Sequence, residues 1–183
     1  MITRFEIEGP LLLKPRRVED ARGFFSEVWK NDWLAEMGVA TRFVQDNHSL
    51  SRAAGTVRGL HFQRPPSAQG KLVRCVRGAI FDVAVDLRRG SPSYGRFITA
   101  ELSAENWQQL WIPRGFAHGL CALTADAEVL YKVDAPYDAA ADAAIRWDDP
   151  QIGIAWPLAG AALLSDKDRV APLLAEFDPP EAW

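Results

Sequence analysis

Metal-binding and disulfide-forming side chains are scarce in this sequence: 183 residues carry three histidines and two cysteines. Cys75 and Cys121 both sit inside apolar, strand-like runs, which reads as buried thiols in a reducing compartment rather than as a disulfide. Long apolar runs are missing as well. Leu11–Leu13 is far too short to span a bilayer, and no basic-then-apolar leader opens the chain, so the expected location is the cytoplasm. There is no excess of positive charge: Lys and Arg number 21 against 24 Asp and Glu, for a net charge of −3 and a pI near 5.6. That argues against nucleic acid as a partner, while leaving room for a local basic patch around a phosphate-bearing small molecule. Repeats, low-complexity tracts and linkers are absent, so residues 1–183 are expected to form one domain.

Aromatic residues, by contrast, are plentiful. Seven tryptophans and nine phenylalanines suit a tightly packed β interior or a dimer interface. Residues 1–18 read as strand, proline-containing turn and strand, breaking at Pro15. In EDARGFFSEVW (19–29) a glycine turn precedes aromatic residues in strand-like alternation. The best helix candidate is NDWLAEMG (31–38), with Asn31 or Asp32 as cap, Trp33, Leu34 and Met37 as a short apolar face, and Gly38 as stop. FVQDNHSLS (43–51) reads as an edge strand dissolving into polar loop. Short apolar runs then recur between turn signals at 56–63, 71–77, 79–87, 96–102, 108–112, 117–123, 128–133 and 144–147. Runs this short and this closely spaced predict an all-β sandwich or barrel rather than a βαβ fold. In IFDVAVDL, Phe81, Val83, Val85 and Leu87 alternate with Ile80, Asp82, Ala84 and Asp86, so Asp82 points away from the purely apolar face. A short helix is expected to start near Ser165.

The chemistry concentrates between Thr56 and Arg77, where Arg58, His61 and Lys71 lie in two strand-like runs joined by the turn signal RPPSAQG. IPRGFAHGL (112–120) adds His118 and VLYKV (129–133) adds Tyr131. A single histidine in such surroundings is more often a satisfied core residue than a catalyst. The joint set, with spare carboxylates at Asp82 and Asp168, is harder to explain structurally, because a buried lysine or aspartate needs a partner or a cavity. A metal-binding cupin barrel usually draws two histidines from one HxH segment, a glutamate, and a further histidine. Here the HxH position reads His61-Phe62-Gln63. The PxGxxH pattern is present at Pro113 to His118, a third good ligand is missing, and Lys71 would repel a divalent cation. The expectation is therefore no metal and no cofactor. A neutral histidine, a lysine and a phenol suit proton abstraction alpha to a carbonyl, with the lysine stabilising the enolate oxygen and Tyr131 returning a proton to the opposite face.

Taken in order, the segments RGFFSE (22–27), QDNHS (45–49), VRGLHFQ (57–63), GKLVRCVRG (70–78), DVAVDLR (82–88), SPSYG (91–95), IPRGFAHG (112–119), YKVDAPYD (131–138), IRWDDP (145–150) and LSDKD (164–168) resemble those of the dTDP-4-dehydrorhamnose 3,5-epimerase family. The resemblance runs from about residue 2 to 173. It implies a jelly-roll β-barrel of cupin type with a few short peripheral helices, a metal-free homodimer, and a dTDP-4-keto-6-deoxy sugar as substrate. His61 matches the family's base, Asp168 its carboxylate partner, Lys71 the enolate-stabilising cation, Tyr131 the acid, and His118 a second active-site histidine for which Asp82 is the suggested partner. For the nucleotide, Arg22 and Glu27 match a segment that reaches substrate across the dimer interface. Gln45, Asp46 and Asn47 match a substrate-contacting strand end, Arg58 a diphosphate contact, Tyr137 the aromatic that stacks on thymine, and Lys167 a further contact. Asp142 stands where the family commonly has Glu, at a sugar or phosphate contact, and Leu120 where many members have Phe. Strict alternation puts Arg58 and His61 on opposite faces, and Gly59 between them is where a bulge would reconcile this. The alternatives are an epimerase of one centre only, a ketoisomerase, a non-catalytic nucleotide-sugar-binding cupin, and a metal-dependent cupin oxygenase.

Overall fold

A computed structural model describes residues 1–36 and 38–183, and Met37 lies outside the described residues. The first strands are β1 (Ile2–Arg4) and β2 (Leu11–Leu13), followed by a hairpin of β3 (Val18–Asp20) and β4 (Gly23–Phe25). A single helical turn, α1 (Asp32–Ala35), precedes β5 (Gln45–Ser51), β6 (Val57–Gln63), β7 (Lys71–Arg77) and β8 (Ala79–Asp86). Then come β9 (Phe97–Ser103), β10 (Gln109–Ile112), β11 (Phe116–Ala122), β12 (Ala127–Val133) and β13 (Asp142–Ala144). A short helix α2 (Asp166–Arg169) and a 3₁₀ turn at Leu174–Glu176 complete the described elements. One sheet runs β1-β2-β10-β7-β12-β5 and faces a second, β13-β6-β11-β8-β9, with β3-β4 standing apart. Every strand pairing among these is antiparallel. The result is the all-β sandwich that the run spacing predicts, in the jelly-roll form that the resemblance implies.

The alternation in β8 works on two apolar layers. Ile80 and Ala84 point between the sheets, onto Val73, Leu110, Val129 and Leu120. Val83, Val85 and Leu87 point outward and are covered by Ile152, Leu174 and Phe177 from the C-terminal segment. A strand buried on both faces is apolar except where a polar side chain has a partner, and the two exceptions in this run are Asp82, beside His118, and Asp86, beside Arg88, Ser91 and Ser93. Asp82 sits on the inner face, as parity requires, and is fully buried. On the outer side of the first sheet, Leu11, Leu13, Leu72 and Trp111 are covered by Trp29, Trp33 and Leu34 from the segment around α1.

Three sequence expectations change. The helix at 31–38 shrinks to four residues, and the Asn31 side chain makes no capping bond. Too short to hold itself through propensity, this turn is fixed by burial of Leu34. The polar stretch QDNHSLS is the edge strand itself, paired with β12 along its whole length, rather than strand fading into loop. The last expected run, 144–147, is displaced to Asp142–Ala144.

Candidate active site

A cavity of about 400 Å³ opens between the sheets, and a second of about 220 Å³ continues from it, sharing His61, Lys71 and Tyr131. The five-stranded sheet supplies Arg58 and His61 from β6 and His118 from β11. The six-stranded sheet supplies Lys71 from β7 and Tyr131 from β12, so histidines and phenol approach from opposite walls.

Arg58 and His61 share one wall because β6 is bulged. His118 pairs with His61 and Leu120 with Arg58, so Gly59 and Leu60 together oppose Gly119. Gly59 has φ +131°, and the Gly59-Leu60 peptide is cis. A Cβ on Gly59 would lie 2.5 Å from the Gly119 Cα and 2.8 Å from the His118 carbonyl oxygen. Two glycines facing each other let the backbones approach this closely, and the extra residue returns His61 to the cavity side.

His61 Nε2 lies 2.5 Å from Asp168 Oδ1. Burial pushes the Asp168 carboxyl up, but the hydrogen bond and charge of His61, with Ser165 and the Gly59 backbone, outweigh it and hold the group below its ordinary range. An ionised carboxylate can only accept, so Nε2 carries a proton, and it is Nδ1 that offers a lone pair in the neutral form of the ring. Asp168 itself is fixed by α2, where its backbone N–H donates to the Ser165 hydroxyl at the N-cap, 3.1 Å away. On the same wall His118 Nε2 lies 2.7 Å from Asp82 Oδ1, and Asp82 Oδ2 has no partner among the described residues.

Lys71 is only 8% exposed, and its Nζ donates to the His61 carbonyl oxygen at 3.3 Å. Burial drives its pKa down to about 8, against the pull of the Asp82 and Asp142 carboxylates, with Lys167 pushing it further down. Burial also pushes the Tyr131 phenol up, partly opposed by Arg58, so it stays protonated at neutral pH. Arg58 is steadied by Ser51 Oγ at 3.2 Å and the Leu50 carbonyl at 3.0 Å.

At the outer end of the cleft, Tyr137 donates its hydroxyl proton to Asp142 Oδ2 at 3.3 Å, and Lys167 forms an ion pair with the same oxygen. Gln45 and Asn47 line this end. Asp46 does not: β5 alternates, so Asp46 points to the other face and pairs with Lys132 at 2.8 Å. Arg22 and Glu27 also lie outside this chain's cavity, paired with Asp20 and Lys30 at 2.6 Å each on exposed surface. Leu120 lines the larger cavity. Sequence reasoning missed several further lining residues, among them Ser49, Thr56, Leu163, Gln63 and Gln69. The Ser-x-x-Asp spacing at 165–168 was a readable cap signal for the placement of Asp168. Among the described residues, no group of three or more His, Cys, Asp and Glu side chains is placed to hold a metal ion. Among the described residues, no helix is long and apolar enough to cross a membrane.

A two-sheet antiparallel sandwich with titratable side chains converging from both inner walls defines a cupin-type enzyme fold. The family model described as dTDP-4-dehydrorhamnose 3,5-epimerase matches residues 4–176. The chain belongs to that family of isomerases. It is 56% identical over 166 residues to the dTDP-4-dehydrorhamnose 3,5-epimerase of Sinorhizobium fredii, covering 91% of this chain and 85% of the relative. It superposes with a TM-score of 0.93, at 43% identity, on the crystal structure of a dTDP-6-deoxy-D-glucose-3,5-epimerase from Legionella pneumophila in complex with dTDP-4-keto-L-rhamnose, covering 97% and 94% of the two chains. A Streptomyces niveus protein described as a dTDP-4-dehydrorhamnose 3-epimerase is 41% identical over 171 residues, covering 93% of this chain and 82% of the relative.

Proposed function

We propose that the chain epimerises dTDP-4-dehydro-6-deoxy-D-glucose at both C3 and C5, giving dTDP-4-dehydro-L-rhamnose. The observation that carries this reading is the His61–Asp168 pair on one wall of the cavity with Tyr131 and Lys71 on the other. His61 Nδ1 takes the proton alpha to the C4 carbonyl, and Asp168 stabilises the imidazolium that forms. The electron pair moves onto the C4 oxygen, beside the ammonium of Lys71, where a fixed cation in a dry site acts strongly. Collapse of the enolate takes a proton from the Tyr131 hydroxyl on the opposite face, which inverts the carbon. The same groups serve C3 and C5 in turn once solvent has taken the proton from His61 and returned one to Tyr131 and the ring is re-presented. His118, held by Asp82, completes the histidine wall.

The nucleotide lies along the outer cleft, with Tyr137 against the base, Arg58 and Lys167 toward the diphosphate, and Gln45, Asn47 and Asp142 at the rim. We assign the working form as a cytoplasmic homodimer in which Arg22 and Glu27, remote from their own cavity, reach the site of a second copy. Exposed Phe24 and Phe25 on the same hairpin support that assignment.

Proton NMR of the 4-keto sugar nucleotide with enzyme in D2O tests the reaction. Deuterium entering at C3 and C5 with an L-configured product is expected. Label at C3 alone would move the chain to single-centre epimerases such as the Streptomyces niveus relative is described to be. No label, with binding retained, would sink the catalytic reading.

A further inference from the structure

The turn that carries Tyr137 makes its main hydrogen bonds to glutamine side chains from other segments. Gln69 Nε2 donates to the Ala135 carbonyl at 2.7 Å, and Gln45 Oε1 accepts from the Tyr137 N–H at 3.1 Å. Gln63 does most. Its Oε1 accepts from the Asp138 N–H at 2.7 Å, while its Nε2 donates to the Pro136 carbonyl at 3.2 Å and the Ser67 carbonyl at 2.6 Å. The Ser67 hydroxyl then donates to Asp138 Oδ2 at 2.7 Å, closing the network. Gln63 is only 4% exposed, yet both amide hydrogens and the oxygen are engaged. The orientation of the amide follows from its partners, since an N–H must meet the oxygen and carbonyls must meet the nitrogen.

Only a neutral amide of this length can do this. Glutamate lacks the two donors and would bury a charge, and an aliphatic side chain would leave three backbone groups without their partner. Gln63 also stands two residues from His61 on β6, on the same face. One rigid strand therefore holds the histidine and grips the turn bearing the exposed aromatic ring. Gln45, matched by resemblance to a substrate contact, spends its carbonyl oxygen on the same turn.

We propose that Gln63 is a positioning residue that, with Gln69, fixes the Tyr137 turn at the height of a nucleoside base and so sets how tightly the nucleotide is held. This rests on the reading of Tyr137 as the base-stacking side chain. Substitution of the clamp therefore acts on nucleotide binding, through Tyr137, and leaves the chemical step at saturation nearly intact.

The experiment is a double-mutant cycle of Gln63→Met against Tyr137→Ala, reading dTDP affinity by calorimetry and KM and kcat with the 4-keto sugar nucleotide. Gln63→Met alone should weaken dTDP binding and raise KM by roughly tenfold, with kcat within about threefold of wild type. In the Tyr137→Ala background the same substitution should cost nothing further. Gln69→Met, which loses one bond near the surface, should show a smaller effect of the same kind, and it replaces Gln63→Met in the cycle should that variant not fold. Additive losses, or a fall in kcat with KM unchanged, would overturn the clamp while leaving Tyr137 as a base contact. Unchanged dTDP affinity in Tyr137→Ala alone would overturn the Tyr137 reading itself, and the clamp with it.

Discussion

Lys71→Met should make the protein more stable and nearly inactive at once. Lys71 holds its proton in the folded chain only up to about pH 8, against an ordinary 10.5, because burial strips water from the ammonium. At 1.36 kcal/mol per pH unit, keeping that charge at pH 7 costs the folded state about 3 kcal/mol. Methionine is similar in length and carries no charge. It removes the donor to the His61 carbonyl, a bond worth about 1 kcal/mol, so a net gain of about 2 kcal/mol remains. In a chain of this size that raises Tm by roughly 4–8 °C. The pH dependence has a definite sign. Between about 8 and 10.5 the unfolded chain binds the proton and the folded one does not, so wild-type stability rises through that window and the advantage of the variant fades. Activity moves the other way: losing the cation beside the enolate should cost roughly 10²–10³-fold in kcat. Wild-type kcat/KM should itself fall about tenfold per pH unit above 8. Calorimetric melting at pH 7 and pH 10, beside deuterium washout, reads all of this. A variant that melts lower than wild type at pH 7 would refute the reasoning. It would mean that the ammonium serves chiefly as counter-ion to the buried Asp82 carboxylate.

Two other perturbations address the geometry around His61. Asp168→Asn keeps the shape but lets the imidazole take the wrong tautomer, so kcat should fall roughly 10²–10⁴-fold with dTDP affinity unchanged by calorimetry; an unchanged washout rate would remove Asp168 from the mechanism. Gly59→Ala forces a Cβ to within 2.5 Å of the Gly119 Cα at a φ of +131°, and should destabilise by at least about 3 kcal/mol, visible as a large drop in Tm or as insoluble protein. A Tm within 2–3 °C of wild type, a change on the order of 1 kcal/mol, would show that the bulge relaxes more easily than the packing implies.

How much of this was legible in the sequence depends on whether the deciding contact is local. Alternation in β8 put Asp82 on the face opposite Val83 and Val85, and the folded strand turns it inward to His118. Alternation in β5 likewise separates Asp46 from Gln45 and Asn47 once the stretch is read as regular strand, so the outward turn of Asp46 was within reach of the residues themselves. Counting by twos failed between Arg58 and His61, where it is a rule about one strand and the outcome belongs to two. The bulge exists because Gly119, sixty residues on, has no side chain to keep Gly59 away. The glutamine contacts were invisible for a related reason. Gln63 and Gln69 lie near a proline-rich turn that any loop could show, and their partners on the Tyr137 turn lie between 66 and 75 residues further along. A buried amide gripping a distant backbone leaves no periodic trace in a sequence. Yet such a grip decides where an exposed ring stands to meet a base, and a site can carry every expected side chain and still bind weakly if the unpatterned residues behind it hold the ring at the wrong height.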